Sequence, residues 1–148
     1  MAQRFTKKTI DFLREAGRQT NPDWLKKHKR DHEEHLIEPL RELAILLATE
    51  LRKEATGYRF TRTGFGRLKR PSHKVGRGES AFRDWVHLKG TRPSRSIFDE
   101  NPGLYFYLSP DRILSGGGFY EPSSRQIKKI RAWLADNPKD LSKNILTD

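Results

Sequence analysis

The chain has 148 residues, no cysteine, and 30 Lys/Arg against 19 Asp/Glu, a formal net charge of +11. That length suits one domain, large enough to bury about two-thirds of its unfolded surface without covalent staples. The missing cysteines exclude disulfides, thiol catalysis and thiolate metal sites. With no apolar run near the roughly 20 residues of a membrane span, a soluble, cytoplasmic protein is expected.

In chain order, Thr6 is placed to cap a first helix with apolar positions Ile10, Phe12 and Leu13, ended by Gly17. Asn21-Pro22-Asp23 marks a second start: a capping amide, a proline at the first helical position and an acid at the positive end of the dipole. The stripe that follows, Trp24, Leu25, His28, His32, Leu36, Leu40, Leu43, Leu47 and Leu51, advances by helical steps. Pro39 lies inside it, so a break is expected near Glu38. Gly57 closes this helical part, residues 1–56.

Residues 57–121 read as strands and basic loops. Tyr58 and Phe60 alternate with Arg59 and Thr61 as a half-exposed strand does, and Gly64, Gly66, Pro71, Gly76 and Gly78 punctuate the loop beyond. Residues 82–88 suit a strand with Val86 and Leu88 on one face, and 91–102 a further loop. Leu104 to Leu108 is wholly apolar and aromatic, and predicts a buried central strand. Ser109-Pro110-Asp111-Arg112 suits a type I turn, after which Ile113 and Leu114 return into three glycines expected to kink the chain. Ser123 and Gln126 have capping-box spacing. They open a helix over 122–137 with Ile127, Ile130, Trp133 and Leu134 on one face, before a tail at 138–148. Helices first, strands next and a helix last predict an α+β fold, its helical N-terminal half packed on a small, mainly antiparallel sheet.

The charge is concentrated. Between Arg52 and Arg95 thirteen Lys/Arg stand against Glu54, Glu79 and Asp84, a net of +10 out of +11. A charge serving only solubility would be spread along the chain, so an anionic partner is indicated. The candidate anion-binding residues are Arg59, Arg62, Arg67, Lys69, Arg70, Lys74, Arg77, Arg83, Arg92 and Arg95, with Lys89 among them. Tyr58, Phe60, Phe65, Phe82 and Trp85 are interleaved, as single strands require for stacking. The plainer alternative is a solvated face over core aromatics. No helix-turn-helix or zinc-finger pattern is evident, so sequence-specific reading is not expected.

Gly116, Gly117 and Gly118 are a candidate backbone nest for an anion. A bulge, or room for Trp133 to approach, is the favoured reading. His28, His32 and His35 share a helical face, but His32-Glu-Glu-His35 is one residue short of the His-Glu-x-x-His arrangement. Hydrogen-bonded imidazoles are expected there, and neither a metal nor another cofactor. Gly78-Glu-Ser80-Ala-Phe fails the nucleophile-elbow pattern, and Glu79 and Asp84 suit surface ion pairs. No catalytic constellation emerges.

Several segments taken together resemble a widespread bacterial family of uncharacterised proteins, a domain of unknown function. They are Thr9-Ile-Asp-Phe-Leu, Asn21-x-x-Trp24-Leu25, Glu38-Pro39 before a leucine-rich helix, Pro102-Gly-Leu-Tyr-Phe, Ser115-Gly-Gly-Gly-Phe-Tyr-x-Pro122 and Lys128-Lys-Ile-Arg131. The resemblance supports the fold and implies no reaction. Arg62 to Lys74 departs from the family's usual segment, keeping bases and a proline but losing two acids, and the C-terminal end looks shortened. The leading functional expectation is therefore a basic anion-binding module for nucleic acid or another polyphosphate, with no membrane partner. An enzyme acting on a phosphorylated or carboxylated small molecule and a protein-interaction domain are the rival classes.

Overall fold

The computed structural model describes residues 5–54, 57–60, 67–92, 101–119 and 121–138. Arg62, Phe65, Arg95, most of the 91–102 loop and nearly all of the tail lie outside them. The helices are α1 (Lys7–Ala16), α2 (Trp24–Lys27), α3 (Lys29–His32) and α4 (Glu38–Glu54), with a π-helical turn at Glu33–Ile37. Strands β1 (Arg59–Phe60), β2 (Val86–Thr91), β3 (Gly103–Leu108) and β4 (Ile113–Gly118) follow, then α5 (Ser124–Asp136). The four strands form one sheet in the order β1-β2-β3-β4, every neighbouring pair antiparallel. The fold is α+β: N-terminal helices, a meander and a closing helix.

Local chemistry explains the helix ends. The Asn21 side chain accepts from the Asp23 N–H at 2.9 Å, a turn just ahead of α2, which starts at Trp24 with Asp23 as its N-cap, two residues later than the sequence suggests. Ser123 Oγ accepts from the Gln126 N–H, while Gln126 Oε1 accepts from the Ser123 N–H at 2.9 Å, a reciprocal capping box. The break expected near Glu38 begins earlier, at His28 (φ −108°, ψ 25°), and continues through the π turn. Pro39 has no N–H to complete an i→i−4 bond to the His35 carbonyl. The buried hydroxyl of Thr9 on α1 donates to that carbonyl instead, at 2.8 Å. Thr9 thus ties α1 to the irregular turn and satisfies a group the helix leaves open.

The core lies between the helices and one face of the sheet. Leu13, Leu36 and Leu40 are fully buried on the helical side, with Val86, Leu88 and Leu108 opposite them. Strand alternation puts Val86, Leu88 and Gly90 inward and His87 and Lys89 outward. A Cβ at Gly90 would lie 2.7 Å from the Phe60 ring, so Gly90 leaves room for an aromatic side chain from β1.

Three sequence expectations need correcting. The strand expected at 82–88 runs instead from Val86 to Thr91, and Phe82 is buried in an isolated bridge with Lys69. Ser80 explains the shift: its hydroxyl lies within hydrogen-bond distance of the Ala16, Gln19 and Phe82 carbonyls, and the Ala81 N–H donates to Gln19. This pins the segment to the end of α1 before a strand begins. The glycine kink is also absent, since Ile113 to Gly118 pairs with β3 without a bulge. Strand β3 is central as expected, but only Leu108 in it is buried, and Tyr105 is 49% exposed.

Candidate functional site

The outward face of the sheet gathers aromatic and basic groups that lie far apart in sequence. Register places His87 opposite Tyr107 and Lys89 opposite Tyr105. Trp85, just before β2, packs against both His87 and Tyr107, with ring centroids 5.7 and 5.4 Å away. The Arg83 guanidinium lies 4.9 Å from the centre of the Trp85 ring, and that of Arg112 lies 5.9 Å from Tyr107. Such contacts contribute about 0.5–1 kcal/mol at exposed sites and hold the cations against the rings.

Strand β4 supplies a floor with little on it. Gly103 pairs with Gly118, and Tyr105 with Gly116. The Tyr105 ring reaches across β4: a Cβ at Gly116 would lie 2.8 Å from its hydroxyl oxygen. The Lys89 side chain crosses Gly103, its Cε 3.5 Å from where a Cβ would stand. At Gly118 a Cβ would meet nothing within 4 Å. Between these groups lies a concavity of about 680 Å³, whose lining includes Trp85, Lys89, Tyr107, Leu114, Gly118 and Phe119.

Basic side chains flank His87 on this face. Burial, then Arg83, then Lys89, push the pKa of His87 below its ordinary value of 6.5. Both cations therefore bear on the same imidazole. Strand alternation puts Arg59, which pairs with Thr91, on this face as well.

The remaining candidate cations are distributed differently. Arg70 is engaged in structure: it donates to the Ser80 and Lys74 carbonyls and pairs with Glu79 at 3.0 Å. The Gly76 N–H and then Arg70 hold the Glu79 carboxyl below the usual range. Arg83 also donates to the Arg67 carbonyl at 2.9 Å, fixing the backbone beneath a second base. Lys74 and Arg77 are exposed on the loop after Arg70, Lys69 stands near Asp23, and Arg92 lies against Gly57. The basic segment is thus divided between a face and the loop that leads into it.

Gly116, Gly117 and Gly118 have no positive φ, and along a strand successive N–H groups point alternately rather than converging. Their contribution is the space they leave for Tyr105 and Leu104. The histidines of the helical stripe serve packing. His28 stacks on Trp24 at 4.4 Å and its Nδ1 donates to the Trp24 carbonyl, and His32 tilts against Phe12. Among the described residues no group of three potential metal ligands converges. No helix among them is long and apolar enough to cross a membrane.

Sequence reasoning had Arg83, Lys89 and Trp85 but missed Tyr105, Tyr107 and Arg112, having assigned the tyrosines to a buried strand. Alternation of Tyr105 and Tyr107 with Leu104, Phe106 and Leu108 was the available signal: the hydroxyl-bearing rings share one face.

A helix-backed antiparallel meander with an open, aromatic and basic outer face defines the class of protein. The chain belongs to the family described as conserved hypothetical protein DUF2461, whose model matches residues 8–148. Neither curated proteins nor solved structures provide a match.

Proposed function

We propose that the chain works as one cytoplasmic domain that binds polyanions, nucleic acid first among them, without reading sequence. The outer sheet face and the loop leading to it supply the positive surface. The observation that carries this reading is the gathering of cations on one sheet face, with Arg83 over the Trp85 ring, Arg112 over Tyr107, Lys89 opposite Tyr105, and Arg59 beside them. A cationic ligand would meet repulsion there, whereas an anion neutralises the cluster and releases counterions. A chain without cysteine fits a reducing compartment.

Retention on heparin and on single-stranded DNA, measured against NaCl concentration, tests the proposal. Binding is expected to weaken linearly on a log–log plot. Changing Arg83→Gln and Lys89→Gln together is expected to lower the slope for single-stranded DNA by about 1.4, roughly 0.7 for each phosphate no longer neutralised. No retention at low salt, or retention indifferent to salt, overturns the proposal.

A further inference from the structure

The concavity on the outer face contains more than charge. Heparin or inorganic polyphosphate would need cations alone, yet three aromatic rings stand between the cations here, beside a strip of glycine. We propose that this face binds single-stranded nucleic acid by stacking an unpaired base against the Trp85, Tyr107 and Tyr105 rings, with the adjoining phosphate held by Lys89 and Arg83. The inference rests on the polyanion reading above and narrows it to a ligand with a planar ring.

Three features support it. The rings stand close together: Trp85, just before β2, contacts Tyr107 of β3 at 5.4 Å, and Tyr105 on that strand is 49% exposed. The concavity, about 680 Å³, lies within the range of roughly 300–1,000 Å³ in which small-molecule sites fall, room enough for a nucleotide unit. Gly118 leaves open space beside Lys89 and Gly103, so a flat group can approach the sheet. Stacking is indifferent to base identity because every base has a π-face, which agrees with the lack of any sequence-reading motif. Paired bases in a duplex hide those faces, so single strands are the form recognised.

Gly118 also provides a clean test. A Cβ there meets nothing within 4 Å and requires no unusual φ, so Gly118→Val is expected to fold, which its thermal unfolding checks, while narrowing the concavity. The probes are a fluorescein-labelled ten-nucleotide oligothymidylate, an abasic oligomer with the same phosphates, and heparin, titrated by anisotropy or competition at low salt. The wild-type chain is expected to bind the oligothymidylate about ten-fold or more tighter than the abasic strand, from one or more stacked bases. Gly118→Val and Trp85→Ala are each expected to collapse that ratio toward one, with heparin affinity retained in the valine variant. Equal affinity for both oligomers, with heparin still bound, overturns the stacking proposal and leaves the polyanion reading standing. A base preference untouched by either variant removes the assignment to this face. Failure to bind any of the three probes overturns the polyanion reading itself.

Discussion

Thr9 joins two parts of the molecule through a single hydroxyl, and removing it has a calculable effect. Thr9→Val preserves shape and volume but withdraws the donor from the His35 carbonyl, 2.8 Å away. It also removes the acceptor for the Thr6 N–H, 3.1 Å away. Thr9 is fully buried, so no water replaces the lost donor, and a buried carbonyl left unpaired costs about 1–3 kcal/mol. We take about 2 kcal/mol for the substitution, which at this chain length lowers Tm by roughly 4–8 °C. The effect should depend on Pro39, because proline is the reason the carbonyl needs an outside donor. In a Pro39→Ala background residue 39 regains an N–H, and valine at position 9 should then cost about 1 kcal/mol less. Urea unfolding of the wild type, the two single variants and the double variant completes the cycle. If Thr9→Val costs the same in both backgrounds, the account of the π turn is wrong.

Gly17→Ala sets local propensity against packing. Its backbone is helical (φ −62°), so alanine alone would gain about 1 kcal/mol, but the new Cβ would lie 2.6 Å from Asp84 Cβ. A net loss of about 1–3 kcal/mol in chemical denaturation is expected, and a gain would refute the contact. For His87, the folded state resists protonation that the unfolded chain accepts, so stability should fall as pH drops below about 6.5. His87→Asn should flatten that loss between pH 7 and 5, and equal losses in both proteins would count against it.

The parts of the fold legible in sequence were those decided within a few residues. The Ser123–Gln126 cap, the Asn21 turn ahead of α2 and the return after Ser109 each depend on hydrogen bonds that close locally. Elements decided by distant partners were not legible. Glycines weaken an isolated strand, and only the Tyr105 and Leu104 side chains, laid over Gly116 and Gly117, show why this strand tolerates them. The end of the basic loop is likewise set by Ser80 reaching the carbonyl of Ala16, 64 residues away. For the site, counting charges located the basic segment but did not separate Arg70, engaged by Glu79 and two carbonyls, from Arg83, which lies over a ring. That distinction depends on which groups the folded loop brings beside each guanidinium.

The meander carries a consequence for how the molecule assembles. Strands β3 and β4 meet across the turn at Ser109–Arg112, so that hairpin closes a very short loop. The tie from Ser80 to the end of α1 closes one of 64 residues, which by chain entropy costs about 2–3 kcal/mol more. The β3–β4 hairpin therefore closes at a lower entropic cost than the tie that joins the loop at Ser80 to the helices.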